Sequence, residues 1–505
     1  MFKSSGLRHV VLWSCLALSG CATLPRHVDK IQSHALQDPQ GTTLGRIVGS
    51  SGGGGALSGV RLLSRGDEAL ASLITLADHA ERTLDIQYYI IDRDESARVL
   101  LHHVRLAAER GVRVRLLVDD LNTAGMDRRF MKLGERTNIQ VRVFNPFPGG
   151  RFALWSRFLE SASDIPRINH RMHNKLMVAD NALAVTGGRN IGDQYFTRGK
   201  AANFIDLDVV AAGPIVQQLS ASFDAFWNSR YAYPLSSLAS PVDTEPAPAV
   251  DESDFPADAR FLARDLDAGR LQLTWVPASV LADRPAKIAD ESRPDQTDTV
   301  ADDIATLMRS AQSEVIVISP YFVPGKEGMA LFAELAGRGV HIRILTNSLA
   351  STDSPLVDTG YARYRVALLK LGVELSEVRP KLGTKRIRFH PFRSSTASLH
   401  AKSLVIDQKT VFIGSLNMDA RSARTNCELG LVIRSPELAR QVTALLDDMR
   451  ADGSYRLALE DHTDHILWRS GEPGAERVWH TDPETTLLQR LALEVLAPFA
   501  PEELL

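Results

Sequence analysis

The sequence predicts an α/β protein of two similar lobes, each a mixed, mostly parallel sheet flanked by helices and related to the other by a pseudo-twofold. Three observations carry this: a strand, helix, strand order that occurs twice, two landmarks that repeat at nearly one spacing, and a polar Pro-rich stretch between the copies. At 505 residues with 44% hydrophobic content the chain can bury two ordinary cores.

In the first copy TLDIQYYIIDRD (Thr83 to Asp94) reads as a strand, Ser96 to Arg110 as an amphipathic helix and RGVRVRLLVDD (Arg110 to Asp120) as a second strand. EVIVISPYFVP (Glu314 to Pro324), Glu327 to Arg338 and RGVHIRILTNS (Arg338 to Ser348) repeat that order. A helix of this length between two strands makes a right-handed crossover, with the strands parallel. Arg110-Gly111-Val112 recurs as Arg338-Gly339-Val340, an offset of 228, and His173 recurs as His400, an offset of 227. The lobes are therefore expected at residues 59–235 and 301–460.

Ser236 to Asp258 is rich in Pro, Ala, Asp and Ser, and DESRPDQTD (Asp290 to Asp298) is polar, so residues 236–300 are read as a linker. In the tail, residues 461–505, LLQRLALEVLAPF (Leu487 to Phe499) has apolar residues at helical spacing. Such a helix docks on the body or lies on a bilayer, and docking is the expectation.

Lys3 and Arg8 precede VVLWSCLAL (Val10 to Leu18), which is too short to span a bilayer, and LSGC follows. This pattern resembles the lipobox of bacterial lipoproteins. It implies a signal peptide over residues 1–20, a lipid on Cys21 and, from Ala22, a periplasm-facing outer-membrane location. Residues 21–58, with GSSGGGG (Gly49 to Gly55), are then an anchor-proximal flexible segment. With Cys15 removed and Cys21 acylated, Cys427 is the remaining thiol and no internal disulfide forms.

The chemistry-bearing pattern is RMHNKLMVAD (Arg171 to Asp180) and its twin SLHAKSLVID (Ser398 to Asp407). Strand alternation puts His173 with Lys175, and His400 with Lys402, on one face. Each run continues through a turn at Asp180 or Asp407 into LAVTGG (Leu183 to Gly188) or TVFIGS (Thr410 to Ser415), which makes a β-hairpin. Asn190 and Asn417 each lie 17 positions beyond their histidine. DLDVV and ELGLV then supply Asp206 and Glu428, one carboxylate per histidine, and each lobe is expected to complete its own set.

A neutral imidazole can attack phosphorus while a carboxylate on its other nitrogen fixes the tautomer, the role expected of Asp206 and Glu428. Lys175, Lys402, Asn190, Asn417 and Ser415 are candidates to bind the phosphate oxygens, and the second histidine can act as general acid and base. Asp180 and Asp407, past an apolar run, suit support of the turn. His102-His103 reads as a helix-surface pair. An ammonium beside each imidazole makes a poor ligand set, so no metal and no cofactor are expected.

The doubled HxKxxxxD, with GGRNIGD (Gly187 to Asp193) and GSLNMD (Gly414 to Asp419), resembles the phospholipase D superfamily over roughly residues 60 to 455. FNPF (Phe144 to Phe147), RMHNK, GGRNIGDQYF, YFVP (Tyr321 to Pro324) and ILTNSLAS (Ile344 to Ser351) are similar to the branch of C-type bacterial cardiolipin synthases. That resemblance implies phosphatidyl transfer, with His173 and His400 as nucleophile and acid/base. It also implies phosphatidylglycerol, phosphatidylethanolamine or cardiolipin as substrates at a membrane surface.

Arg151 to Arg171 mixes arginine with aromatics, as either an interfacial surface or a loop packed on its own lobe would. The same superfamily holds nucleases, and the five arginines of Arg142 to Arg171 could track a phosphate backbone. A net charge of -3 weighs against nucleic acid. A non-catalytic envelope scaffold is the remaining alternative, and it has no need of two His-Lys-Asn sets.

Overall fold

The computed structural model describes residues 24–25, 27–53, 55–135, 138–151, 156–157, 161, 164–239, 259–289, 299–381, 396–471 and 476–496. Cys21 and, within the expected linker, residues 240–258 and 290–298 lie outside them.

The first lobe is a nine-stranded sheet. Its strands are β1 (Ser58–Leu63), β2 (Thr83–Tyr88), β3 (Arg113–Asp119), β4 (Ile139–Phe144), β5 (Lys175–Ala179), β6 (Leu183–Gly187), β8 (Asp208–Ala212), β9 (Ala232–Pro234) and β10 (Thr274–Val276). They lie in the order β10-β1-β8-β6-β5-β2-β3-β4-β9. The short β7 (Ala202–Ile205) stands apart from this sheet.

The second sheet repeats the plan with β11 (Ala278–Ala282), β12 (Glu314–Ile318), β13 (His341–Asn347), β14 (Glu374–Val378), β16 (Ser403–Ile406), β17 (Thr410–Gly414) and β18 (Leu429–Arg434). It adds β19 (Ser454–Leu459), β20 (Ile466–Ser470) and β21 (Arg477–Trp479), in the order β11-β18-β17-β16-β12-β13-β14-β19-β20-β21.

The crossovers are those read from the sequence. Helix α1 (Gly66–His79) packs beside α2 (Glu95–Glu109), which joins β2 to β3; α3 (Gly325–Gly337) joins β12 to β13. Asp94 caps α2 by accepting from the Ala97 amide. In each sheet the parallel pairings are confined to three strands, β2-β3-β4 and β12-β13-β14. The hairpins carrying the motifs join these antiparallel, at β2-β5 and β12-β16. The sheets are thus mixed but not mostly parallel as expected: antiparallel neighbours outnumber parallel ones, and the three-residue turns at Asp180–Ala182 and Asp407–Lys409 can only return their hairpin strands antiparallel.

Three further readings are corrected. Within 236–300, β10 extends the first sheet and β11 the second, so chain read as linker supplies an edge strand to each lobe. Polar flanks hid two short strands. The anchor-proximal segment is not a free spacer: the Ala35 amide donates to Asp224, Arg115 donates to the Ser33 carbonyl and Thr43 donates to Glu81. Gly49–Gly53 forms a helical turn in which a Cβ at Gly52 would meet Trp275. In the tail, β20 and β21 continue the second sheet. The tail helix (Leu487–Leu496) lies beside the helix Pro355–Ala362 but leaves Leu487, Leu488, Leu491 and Val495 at 47–78% exposure, so its apolar stripe is not docked.

Each sheet has a core of its own on one face. The opposite faces share one core, in which Leu176, Leu207, Phe223 and Trp227 of the first lobe cluster with Ile316, Leu399, Leu429 and Leu446 of the second. No described helix is long and apolar enough to cross a membrane.

Candidate active site

Both histidines sit just before a hairpin strand, where the lobes meet. β15 (Thr396–Leu399) runs into His400 and pairs in parallel with β7 of the other lobe, Leu399 opposite Ile205. The pseudo-symmetric mate of that pair is the Met172 and Cys427 bridge. Accordingly the His400 amide donates to the Ile205 carbonyl at 2.8 Å and the His173 amide to the Cys427 carbonyl at 2.9 Å.

Ile205 immediately precedes Asp206, and Cys427 immediately precedes Glu428. The backbone pairing therefore delivers each carboxylate to the histidine of the opposite lobe. His173 Nδ1 is 2.9 Å from Glu428 Oε2, and His400 Nδ1 is 2.5 Å from Asp206 Oδ2. The expectation that each lobe completes its own set is overturned. Sequence spacing places residues along one chain and says nothing of a pairing made across a pseudo-twofold.

Side chains behind the histidines hold them there. Asp119 accepts from the Met172 amide at 2.9 Å, and Asn347, its counterpart at the 228 offset, accepts from the Leu399 amide at 2.8 Å. Both end the central parallel strand of their sheet, β3 or β13. The repeat landmarks Arg110 and Arg338 could have exposed this pair, had the offset been read beyond the motifs. Asp283 accepts from the Glu428 amide at 2.9 Å and is paired with Lys287 at 2.7 Å.

Aromatic rings wall the site. Tyr89 stands edge-on to His173 with centroids 5.0 Å apart; Tyr195 and Phe204 flank His400 at 5.2 and 4.9 Å. These were missed as individuals, although QYYIIDRD and GGRNIGDQYF contain both tyrosines. Tyr321 donates to Asp353, whose charge reaches His400 and Lys402.

The remaining expected residues divide. Lys175 and Lys402 are buried and each donates to the carbonyl of its own histidine. Asn190 donates to the Tyr195 hydroxyl and accepts from the Ile90 amide. Asn417 Oδ1 is buried with no hydrogen-bond partner. Ser415, expected on phosphate, instead donates to Glu428 and accepts from the Leu429 amide. Its counterpart is Gly188, where a Cβ would meet Asp206 Oδ1 at 2.1 Å. The hydroxyl thus steadies the longer acid, and in the other lobe even a methyl is excluded.

Asp180 lies at the turn of its hairpin with φ 52° and accepts from the amides of Glu81, Arg82 and Thr83. Asp407, φ 51°, does the same for Gln312, Ser313 and Glu314. Both carboxylates sit at the ends of their hairpin strands away from the histidines. His102 and His103 lie on α2, partly exposed, with His103 against Asp78.

Burial is the largest influence on the site's titration. It lowers the His173 pKa to about 4, against the opposing pull of Glu428. Burial and the nearby Lys402 ammonium lower His400, while Asp206 pulls it back. Burial lowers Lys402 to about 8, and burial together with the nearby Lys402 charge lowers Lys175. Against their own desolvation, the imidazole and ammonium partners hold Asp206 and Glu428 below the usual carboxylate range. At neutral pH His173 is therefore an uncharged imidazole whose Nδ1 faces a carboxylate, which leaves the Nε2 lone pair for attack.

The five arginines of Arg142 to Arg171 are all engaged by groups of their own lobe, with Arg167, at 26% exposure, the most open. Arg142 donates to the Trp227 carbonyl, Arg151 pairs with Asp120 and Asp127, Arg157 with Asp120, Arg167 with Asp164 and Arg171 with Asp119. They form no track for a phosphate backbone and, among the described residues of that segment, no interfacial surface.

The family described as cardiolipin synthase, PLD-like domain, matches residues 73–227 and again 304–450. The chain belongs to this family. It is similar to cardiolipin synthase C of Escherichia coli strain K12, 38% identical over 459 residues that cover 87% of this chain and 94% of the relative. It is also similar to an uncharacterized protein of Helicobacter pylori strain J99, 32% identical with 96% and 97% covered. Among solved structures, phosphatidylserine synthase of Haemophilus influenzae Rd KW20 matches with a TM-score of 0.56 at 14% identity, over 88% of this chain and 95% of that one. That likeness establishes the two-lobed fold alone.

Proposed function

We propose that this cardiolipin synthase-like transphosphatidylase moves a phosphatidyl group in two displacements at the single site shared by His173 and His400. Asp206 lies closer to its histidine than Glu428 does, and Glu428 Oε2 is shared with the Ser415 hydroxyl. Asp206 therefore stands closer behind His400, where it opposes the burial and the Lys402 charge that lower the His400 pKa and would stabilise the imidazolium that the acid role requires. The neutral imidazole is His173.

In the first step His173 Nε2 attacks phosphorus, the bond to the headgroup oxygen breaks and His400 gives that oxygen its proton. The product is a phosphatidyl-histidine. In the second step His400, now neutral, takes the proton of an incoming hydroxyl, whose oxygen displaces His173 and restores the free imidazole. Lys175 and Lys402 neutralise the phosphate oxygens in both steps. Phosphatidylethanolamine is the proposed donor and phosphatidylglycerol the acceptor, which yields cardiolipin and ethanolamine.

The observation that carries the reading is the pair of histidines, each backed by a carboxylate of the other lobe. The test incubates wild type and His173→Ala with phosphatidylglycerol and phosphatidylethanolamine, and separately with DNA. Cardiolipin from the wild type alone is expected. DNA cleavage without lipid turnover would end the lipid reading, and equal lipid turnover by the variant would end the mechanism.

We further propose that the lipobox-like LSGC anchors the chain in a bacterial envelope through Cys21, on the periplasmic side of the outer membrane. Palmitate incorporation that Cys21→Ser abolishes, with the label in outer-membrane fractions, is the expected result.

A further inference from the structure

Helix α6 (Pro355–Ala362) begins two residues after Asp353, the carboxylate that holds the Tyr321 hydroxyl and reaches His400 and Lys402 electrostatically. Helix α8 (Leu487–Leu496) packs beside α6. The buried Arg365 guanidinium knits the two together: it pairs with Asp358 of α6 at 3.2 Å, with Glu377 of the sheet at 2.8 Å and with Asp482, just ahead of α8, at 3.1 Å. Tyr455 donates to Glu484 at 2.7 Å, and Thr486 and Gln489 bond reciprocally at the start of α8. The base of α8 is thus fixed to the second lobe.

Its outer face is another matter. Leu487, Leu488, Leu491 and Val495, at helical spacing, are 63, 78, 47 and 67% exposed, and Leu356 on α6 is 45% exposed. These five are most of the eight large hydrophobic side chains exposed among the described residues, gathered on two adjoining helices, the first of which begins two residues after Asp353. A rigid apolar ledge left in water is unfavourable unless something covers it.

We propose that the α6 and α8 ledge seats in the surface of a phospholipid bilayer and presents the headgroup layer to the His173 and His400 site. This rests on the proposed lipid substrate. What favours a bilayer over a second copy or another protein is continuity: Leu356 of the ledge lies three residues beyond the exposed Asp353, whose charge reaches His400, so a lipid whose acyl chains lie against the ledge would bring its phosphate toward that end of the site. An amphipathic helix lying in the interface plane, apolar face down, has the required geometry.

The test uses the full chain with vesicles of phosphatidylglycerol and phosphatidylethanolamine. A polarity-sensitive fluorophore on Leu488→Cys should shift to the blue when vesicles are added and stay water-like in their absence. A Leu487→Ser, Leu488→Ser, Leu491→Ser, Val495→Ser variant should lose about tenfold of its turnover on vesicles while keeping wild-type turnover of monomeric short-chain phosphatidylethanolamine and phosphatidylglycerol. Retained short-chain turnover also shows that the variant folds. A probe that stays water-like with vesicles, or that shifts without them as the chain dimerises, would overturn the ledge. Absence of lipid turnover by wild type in both formats would instead overturn the transferase reading, and the fluorophore would still report on the ledge.

Discussion

Glu428 and Asp206 do different work on their histidines, and single substitutions separate them. Glu428→Gln keeps the shape and removes the charge that fixes the His173 tautomer, so kcat should fall about a hundred- to ten-thousand-fold. Asp206→Asn should cost as much, and should also move the acid/base limb that His400 contributes to lower pH, because Asp206 raises the His400 pKa more than Asp353 does. Steady-state kinetics across pH tests both. Lys402, lowered by burial to about 8, is charged below that pH and uncharged above it. Affinity for a singly charged phosphonate ester, followed by calorimetry, should therefore weaken as pH rises through about 8, and this dependence should vanish in Lys402→Met. A flat profile in the wild type would show that the ammonium does not meet the phosphate.

At the scale of elements, the two hairpins differ in how much their terminal aspartates support. Asp180 is buried beneath three amides ahead of β2, whereas the amides that Asp407 serves ahead of β12 are largely exposed. Asp180→Ala should cost about 2–3 kcal/mol and Asp407→Ala about 1 kcal/mol, since an amide abandoned in the interior has no water to turn to. Urea midpoints measure the difference, and neither change should move the pH profile of activity. The elements themselves were legible where hydrophobic periodicity was strong: α2, β3 and their repeats fall within three residues of their expected bounds, while β2 and β12 begin where expected but end six residues early, at Tyr88 and Ile318. β10 and β11 were not, because three to five residues inside polar flanks carry no periodicity; their partners in the sheet create them. Likewise the histidines, lysines and carboxylates could be named from their repetition, but not the exchange of carboxylates between lobes. That exchange follows from the β7 to β15 pairing and the Met172 to Cys427 bridge, contacts between residues 194 and 255 positions apart.

In the whole molecule the two lobes are not independent, since one core runs between them and each lobe lacks the carboxylate for its own histidine. Leu207→Ala, in that core beside Asp206, should cost about 2–5 kcal/mol. Its effect should appear as one transition shifted for the whole chain, seen alike by near- and far-ultraviolet circular dichroism; a shift confined to part of the unfolding would show that the lobes melt separately.

The central claim is that a histidine takes the phosphatidyl group before the acceptor does. Stereochemistry at phosphorus tests it most directly: a donor made chiral with oxygen isotopes is turned over, and the configuration of the product phosphodiester is determined. Two in-line displacements predict net retention; inversion would mean a single displacement and would contradict the phosphohistidine.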